Sequence, residues 1–144
     1  MNRLKSPRVN ADQVMFSLLG AAHALEDRLE LALGGVGLSM SKLGVLTQLV
    51  ETGEPLALSE LAARLSCVRS NMTQLVDRLE ADGLVRRVDD VTDRRSVRAV
   101  VTKLGEERQA VGARELERVR EEFSAALPLP DRAALAKALA ALTP

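Results

Sequence analysis

Aromatic residues are almost missing from this chain: Phe16 and Phe123 are the only two, with no tryptophan or tyrosine. That disfavours single-stranded nucleic acid as a target, because such binding stacks bases on aromatic platforms. Cys67 is the one cysteine, so no intrachain disulfide can form. His23 is the one histidine, and no His/Cys/Asp/Glu cluster has metal-ligand spacing. Surplus charge is missing as well: 20 Lys and Arg balance 20 Asp and Glu. Net charge therefore gives no argument for a polyanionic partner. No apolar run reaches the roughly 18 residues of a membrane span. The basic start MNRLKSPRVN lacks the apolar stretch of a signal peptide. The expectation is a soluble, cytoplasmic protein. The signatures G-x-x-x-x-G-K, G-x-S-x-G and H-E-x-x-H are all absent, so no enzymatic activity and no cofactor are expected.

The chain does have abundant Leu, Ala and Val over 144 residues, enough for one buried core. One domain is expected, since domains run roughly 100–200 residues. The stretch from Leu58 to Leu104 organises it. Ser59 is positioned to N-cap a short helix, with Glu60 in its first turn. Ser66-Cys67-Val68 has room only for a turn. A second helix is predicted from about Ser70 to Asp82. Its buried stripe is Met72, Leu75, Val76 and Leu79, at i, i+3, i+4, i+7. Gly83 ends it as a left-handed cap. The opposite face carries Ser70, Thr73, Gln74, Asp77 and Arg78, and Arg69 and Asn71 lie in its first turn. These side chains can hydrogen-bond a base edge or a phosphate. Asp77 repels phosphate and is expected to brace an arginine such as Arg78.

Leu84–Val88 and Val97–Val101 then read as antiparallel strands around a charged loop holding Asp93, Arg94 and Arg95. Leu84 to Lys103 has six basic residues against three acidic ones. A short helix, a turn, a longer helix and a basic hairpin make a mainly α class with a small β-wing: a winged helix-turn-helix. An arginine-bearing wing suits backbone phosphates or a narrow minor groove.

The segments LSELAARL, TQLVDRLEADGLVRR, TDRRS and VTKLG closely resemble the MarR family of bacterial transcriptional regulators. The resemblance is strongest over Leu58 to Gly105. It departs at the turn, where Ser66-Cys67-Val68 replaces the usual Gly-Val-Ser and removes the habitual polar N-cap. It departs again at Val91, where the wing commonly has proline. The resemblance implies a homodimer on a pseudo-palindromic operator in double-stranded DNA, with recognition helices in successive major grooves. It places Arg95 in the minor groove, braced by Asp93. It also implies repression relieved by a small amphipathic or phenolic ligand, bound between the dimerisation helices and the winged part.

The flanks fit that plan. Residues 39–103 form the expected DNA-binding part; 10–35 and 104–144 form the dimerisation helices. Asn10 and Gln13 read as a capping pair. Val14, Leu18, Ala21, Leu25, Leu29 and Ala32 make one apolar stripe of the first helix. Phe16, Leu19 and His23 make a second, shorter one and are the candidate pocket residues. Ser39 can cap the next helix, with Leu43, Leu46, Leu49 and Val50 inward. Pro55–Leu58 is extended. A long helix from Thr102 to about Leu127 is expected to bury Leu104, Val111, Leu116, Val119, Phe123 and Leu127. Gly112 in its middle suggests close approach of another backbone. Pro128 and Pro130 break it, and a last helix from Asp131 to Leu142 buries Leu135, Leu139 and Leu142. Two alternatives stay open. Cys67, in the turn before the recognition helix, is a candidate redox sensor or simply a small buried hydrophobe. A winged helix can also serve only protein–protein contact, which would call for an apolar outer face on the second helix.

Overall fold

The computed structural model describes residues 9–92 and 96–144. Arg94, Arg95 and Asp93, together with the basic arm before Val9, lie outside the described residues. The elements run α1 (Ala11–Gly34), α2 (Met40–Thr52), β1 (Leu56–Ala57), α3 (Leu58–Arg64), α4 (Arg69–Ala81), β2 (Val85–Asp89), β3 (Val97–Val101), α5 (Lys103–Ala126) and α6 (Leu129–Leu142). The fold is mainly helical with a small antiparallel sheet in the order β1-β3-β2.

The core sits in the middle of the chain. Leu46 and Leu49 of α2, Leu61 of α3, Met72, Val76 and Leu79 of α4, and Ala99 of β3 are essentially inaccessible to water. Each fully buried Leu, Val or Met contributes about 1.5–3 kcal/mol. This packing fixes the angle between α3 and α4. Val45 is also buried, whereas Val50 is only half-buried.

Side-chain caps set several boundaries. Ser39 accepts from the Lys42 amide at 3.1 Å, and Gly53, at φ 69°, closes α2 in the left-handed region. The Thr102 hydroxyl accepts from the Gly105 amide at 3.0 Å and donates to the Gly83 carbonyl at 2.7 Å. It thus starts α5 and ties it to the end of the α4 cap. Asn10 caps α1 through the Asp12 amide at 3.1 Å, without the expected Gln13 partnership.

Ser59 does not cap α3. The helix begins two residues earlier than that cap would set it, at Leu58, with Ala57 as the N-cap residue and no side-chain cap. The reason is tertiary: Leu56 and Ala57 pair with Ala99 and Arg98 of β3, and Leu58 is buried immediately afterwards. The sheet therefore sets where the helix starts.

The inner face of α5 also differs from the expected Leu/Val stripe. Its buried residues are Gly105, Gly112 and Val119, each seven apart, while Leu104 and Phe123 are substantially exposed. Close backbone approach occurs at Gly105 rather than Gly112. A Cβ at Gly105 would lie 2.0 Å from the Leu84 carbonyl oxygen. At Gly112 it would meet side-chain ends, Leu38 at 2.6 Å and Leu43 at 2.9 Å.

The termini are the least covered part. Of α1 only Leu33 is buried; Val14, Phe16 and Leu19 are at least half exposed. No residue of α6 is buried, and Leu135, Leu139 and Leu142 stay exposed. Pro130 sits inside the first turn of α6 instead of preceding it, a position where its missing N–H costs nothing.

Candidate nucleic-acid interface

The α4 helix divides cleanly by face. Met72, Val76 and Leu79 point into the core, and Arg69, Ser70, Asn71, Thr73, Gln74 and Arg78 are all exposed. The six residues expected to meet DNA thus share one solvent-facing surface. Arg69, Arg78 and, on β2, Arg86 make no salt bridge to another described residue. Their charges are available to a polyanion. The Thr73 hydroxyl donates back to the Arg69 carbonyl at 3.1 Å, so it can offer a ligand only its lone pairs.

The turn into α4 is tight. Ser66 takes a positive φ of 51°, a region that a glycine occupies without strain. Val68 is the N-cap residue and provides no side-chain hydrogen bond. Cys67 is half-buried against the core and its Sγ lies 3.5 Å from the Val68 carbonyl.

The hairpin beside α4 is held by two arginines that sequence reasoning counted only as charge. Arg87, on β2, pairs with Asp77 at 2.5 Å and Glu80 at 3.2 Å, and donates to the Thr73 carbonyl at 3.3 Å. Its own amide donates to Glu80 at 2.8 Å. Asp77 is therefore braced by Arg87 across the fold, not by Arg78 on its own helix. Arg98, on β3, donates to Asp90 at 3.1 Å and to the Pro55 carbonyl at 3.3 Å. The Asp90 carboxylate also accepts from the Thr92 amide and hydroxyl at 3.0 and 2.8 Å. These bonds, with Arg98, lower its pKa to about 2. The root of the wing loop is thus fixed by Asp90. Pairwise motif reading cannot find such contacts, because register places Arg98 opposite Val88 and beside β1.

The candidate pocket residues do not converge within one chain. Phe16 borders an open apolar groove that also includes Leu18 and Leu135. Leu19 and His23 are exposed and border neither that groove nor the cleft between α1 and α5. That cleft has a cavity of about 340 Å³ with Leu31, Val36 and Val119 on its walls and Arg28, Arg118 and Glu122 at its edge. Arg28 and Glu122 are ion-paired across it. Among the described residues, no group of three or more His, Cys, Asp or Glu is gathered to hold a metal, and no helix is long and apolar enough to cross a membrane.

A buried helix pair, an outward polar face on the second helix and a braced hairpin define a winged helix-turn-helix. Residues 38–97 match the family model described as the MarR family. Over 83 residues the chain is 36% identical to the HTH-type transcriptional regulator PrsX of Escherichia coli, covering 56% of this chain and 49% of PrsX. The chain spans about half the length of the curated relatives it matches. The structure of AbsC, a MarR family transcriptional regulator from Streptomyces coelicolor, superposes with a TM-score of 0.77 at 29% identity, covering 93% of each chain. The organohalide-sensing regulator RdhR, solved in its 2,4-dichlorophenol-bound form, gives a TM-score of 0.80 at 20% identity, covering 99% of this chain and 87% of RdhR. The winged part of the chain is thus similar to the MarR family.

Proposed function

We propose that this protein is a homodimeric, sequence-specific regulator of transcription that binds double-stranded DNA, acts as a repressor and is released by a small amphipathic or phenolic ligand. The observation that carries the reading is the outward face of α4. It is polar from Arg69 to Arg78, with two arginines and one acid, Asp77, while on the opposite face Met72, Val76 and Leu79 are buried and Leu75 is half-buried. A wing used only for protein contact would want an apolar outer face, and none is present on α4. The match of residues 38–97 to the MarR family model and the likeness to AbsC support the same reading.

In this proposal Gln74 reads a base edge, since a side-chain amide can bond adenine bidentately. Arg69 and Arg78 hold backbone phosphates, and Arg94 and Arg95, outside the described residues, extend the basic surface from the wing. The ligand occupies the cleft between α1 and α5. RdhR, with its bound dichlorophenol, supports that class of ligand.

Selection of genomic fragments by the purified protein, followed by footprinting, tests this. Two half-sites about 10 base pairs apart are expected, because a two-fold dimer presents its helices to successive major grooves. Adding 2,4-dichlorophenol as the probe should release the DNA. Failure to enrich any fragment over random duplex would overturn the reading.

A further inference from the structure

The DNA-facing side of α4 carries a residue that should oppose binding. Asp77 lies one helical turn beyond Thr73 and Gln74 and its side chain is 58% exposed. A free carboxylate there would face phosphate, and like charges across an interface are costly. The structure gives it a dedicated partner. Arg87 reaches from β2, only 25% exposed, and places one guanidinium nitrogen 2.5 Å from Asp77. The same group pairs with Glu80 at 3.2 Å and bonds the Thr73 carbonyl at 3.3 Å. One ion pair and two hydrogen-bond acceptors on one planar fork fix its orientation, as a lysine could not. The Arg87 amide, bound to Glu80 at 2.8 Å, fixes the strand as well.

We infer that Arg87 is a positioning residue for DNA recognition: it masks Asp77, drawing that carboxylate toward the sheet and neutralising it beside the recognition surface. Arg87 itself need not touch DNA. The inference rests on the DNA-binding reading above. It adds a specific electrostatic dependence between two residues that the sequence keeps ten positions apart.

The test uses the full chain, an operator duplex found by selection, and the variants R87M and R87M/D77N. R87M should bind about ten-fold more weakly or worse. The deficit should shrink as salt is raised, because it comes from exposed like charge. R87M/D77N should recover most of the affinity, although the bonds to Glu80 and Thr73 stay broken. A purely structural arginine predicts the reverse: a lowered melting temperature, a deficit insensitive to salt and no rescue by D77N. If R87M does not fold, R87K replaces it. Its single ammonium cannot hold both carboxylates in the same geometry, so a smaller, salt-sensitive deficit is expected, again relieved by D77N. No deficit in the variant, or a deficit that D77N leaves in place, overturns the inference. Wild-type protein that prefers no duplex overturns the DNA-binding reading instead.

Discussion

The Asp90 carboxylate shows how one residue can fix a loop. It accepts three hydrogen bonds, two from Thr92 and one from Arg98. Each favours the charged form, which is why its pKa falls from 3.8 to about 2. The sign of the linkage follows. A depressed carboxylate pKa stabilises the fold fully above the unfolded value, and that stabilisation disappears as pH falls from about 4 toward about 2. Asp90→Asn should therefore lower the melting temperature at neutral pH, and the gap to wild type should narrow over that acid window. Melting curves from neutral pH down to the acid limit check it; a gap that stays constant would assign the loss to shape and not to charge. Glycines make a second comparison at this scale. Gly105→Ala puts a carbon against the Leu84 carbonyl, part of a backbone that Thr102 already bonds. Gly112→Ala meets only leucine side-chain ends and gains about 1 kcal/mol of helix propensity. The first should cost roughly 1–3 kcal/mol or more and the second clearly less, read from urea midpoints of the two variants.

Among the elements, what was legible in the sequence follows physical range. The α4 stripe is readable because Met72, Leu75, Val76 and Leu79 obey the helical period; Met72, Val76 and Leu79 are buried and Leu75 half-buried. The Ser39 cap is readable because its bond closes within three residues, and Thr102, read as the start of α5, proves to be its cap. The start of α3 is not readable, since pairing of β1 with β3, some forty residues away, decides it. The inner face of α5 departs from its pattern for a different reason. Hydrophobic pattern favours Leu104 and Phe123, but the tightest packing is reached with glycine, which carries no apolar signal. Asp77 pairs with Arg87 and not with Arg78, since only the folded sheet brings Arg87 within reach. The uncapped α4 start was legible, and the structure adds its geometry. Val68 has the extended N-cap conformation, φ −68° and ψ 138°, without an oxygen to use it. Val68→Ser should thus stabilise the protein by about 0.5–2 kcal/mol. An unchanged denaturation midpoint would mean that those first-turn amides already have other partners.

At the scale of the whole molecule, the uneven distribution of apolar surface is the fact to explain. The winged part buries most of its leucines, yet Leu18 and Leu25 of α1 are only half-covered, and Phe123, Leu135 and Leu139 remain exposed. These residues border one apolar groove of about 440 Å³ between α1, α5 and α6. A fourteen-residue helix with no buried residue is too short to hold itself in water, because nucleation is costly and propagation gains little per residue. Its helicity in the assembled protein must come from packing. In the homodimer proposed above, a second copy supplies that packing, and the exposed leucines of α6 become its core. Leu135→Glu with Leu139→Glu would place two carboxylates per chain in that contact. Burying an unpaired charge is far costlier than losing an apolar contact. The expected result is a shift from dimer to monomer in sedimentation at micromolar concentration, with loss of helical circular dichroism from α6. The winged part, whose core lies elsewhere, should keep its cooperative melting. Operator affinity should fall steeply, because a monomer engages one half-site and loses the effective concentration that links two. A wild-type chain that sediments as a monomer, or a double variant that remains fully dimeric, would remove α6 from the interface.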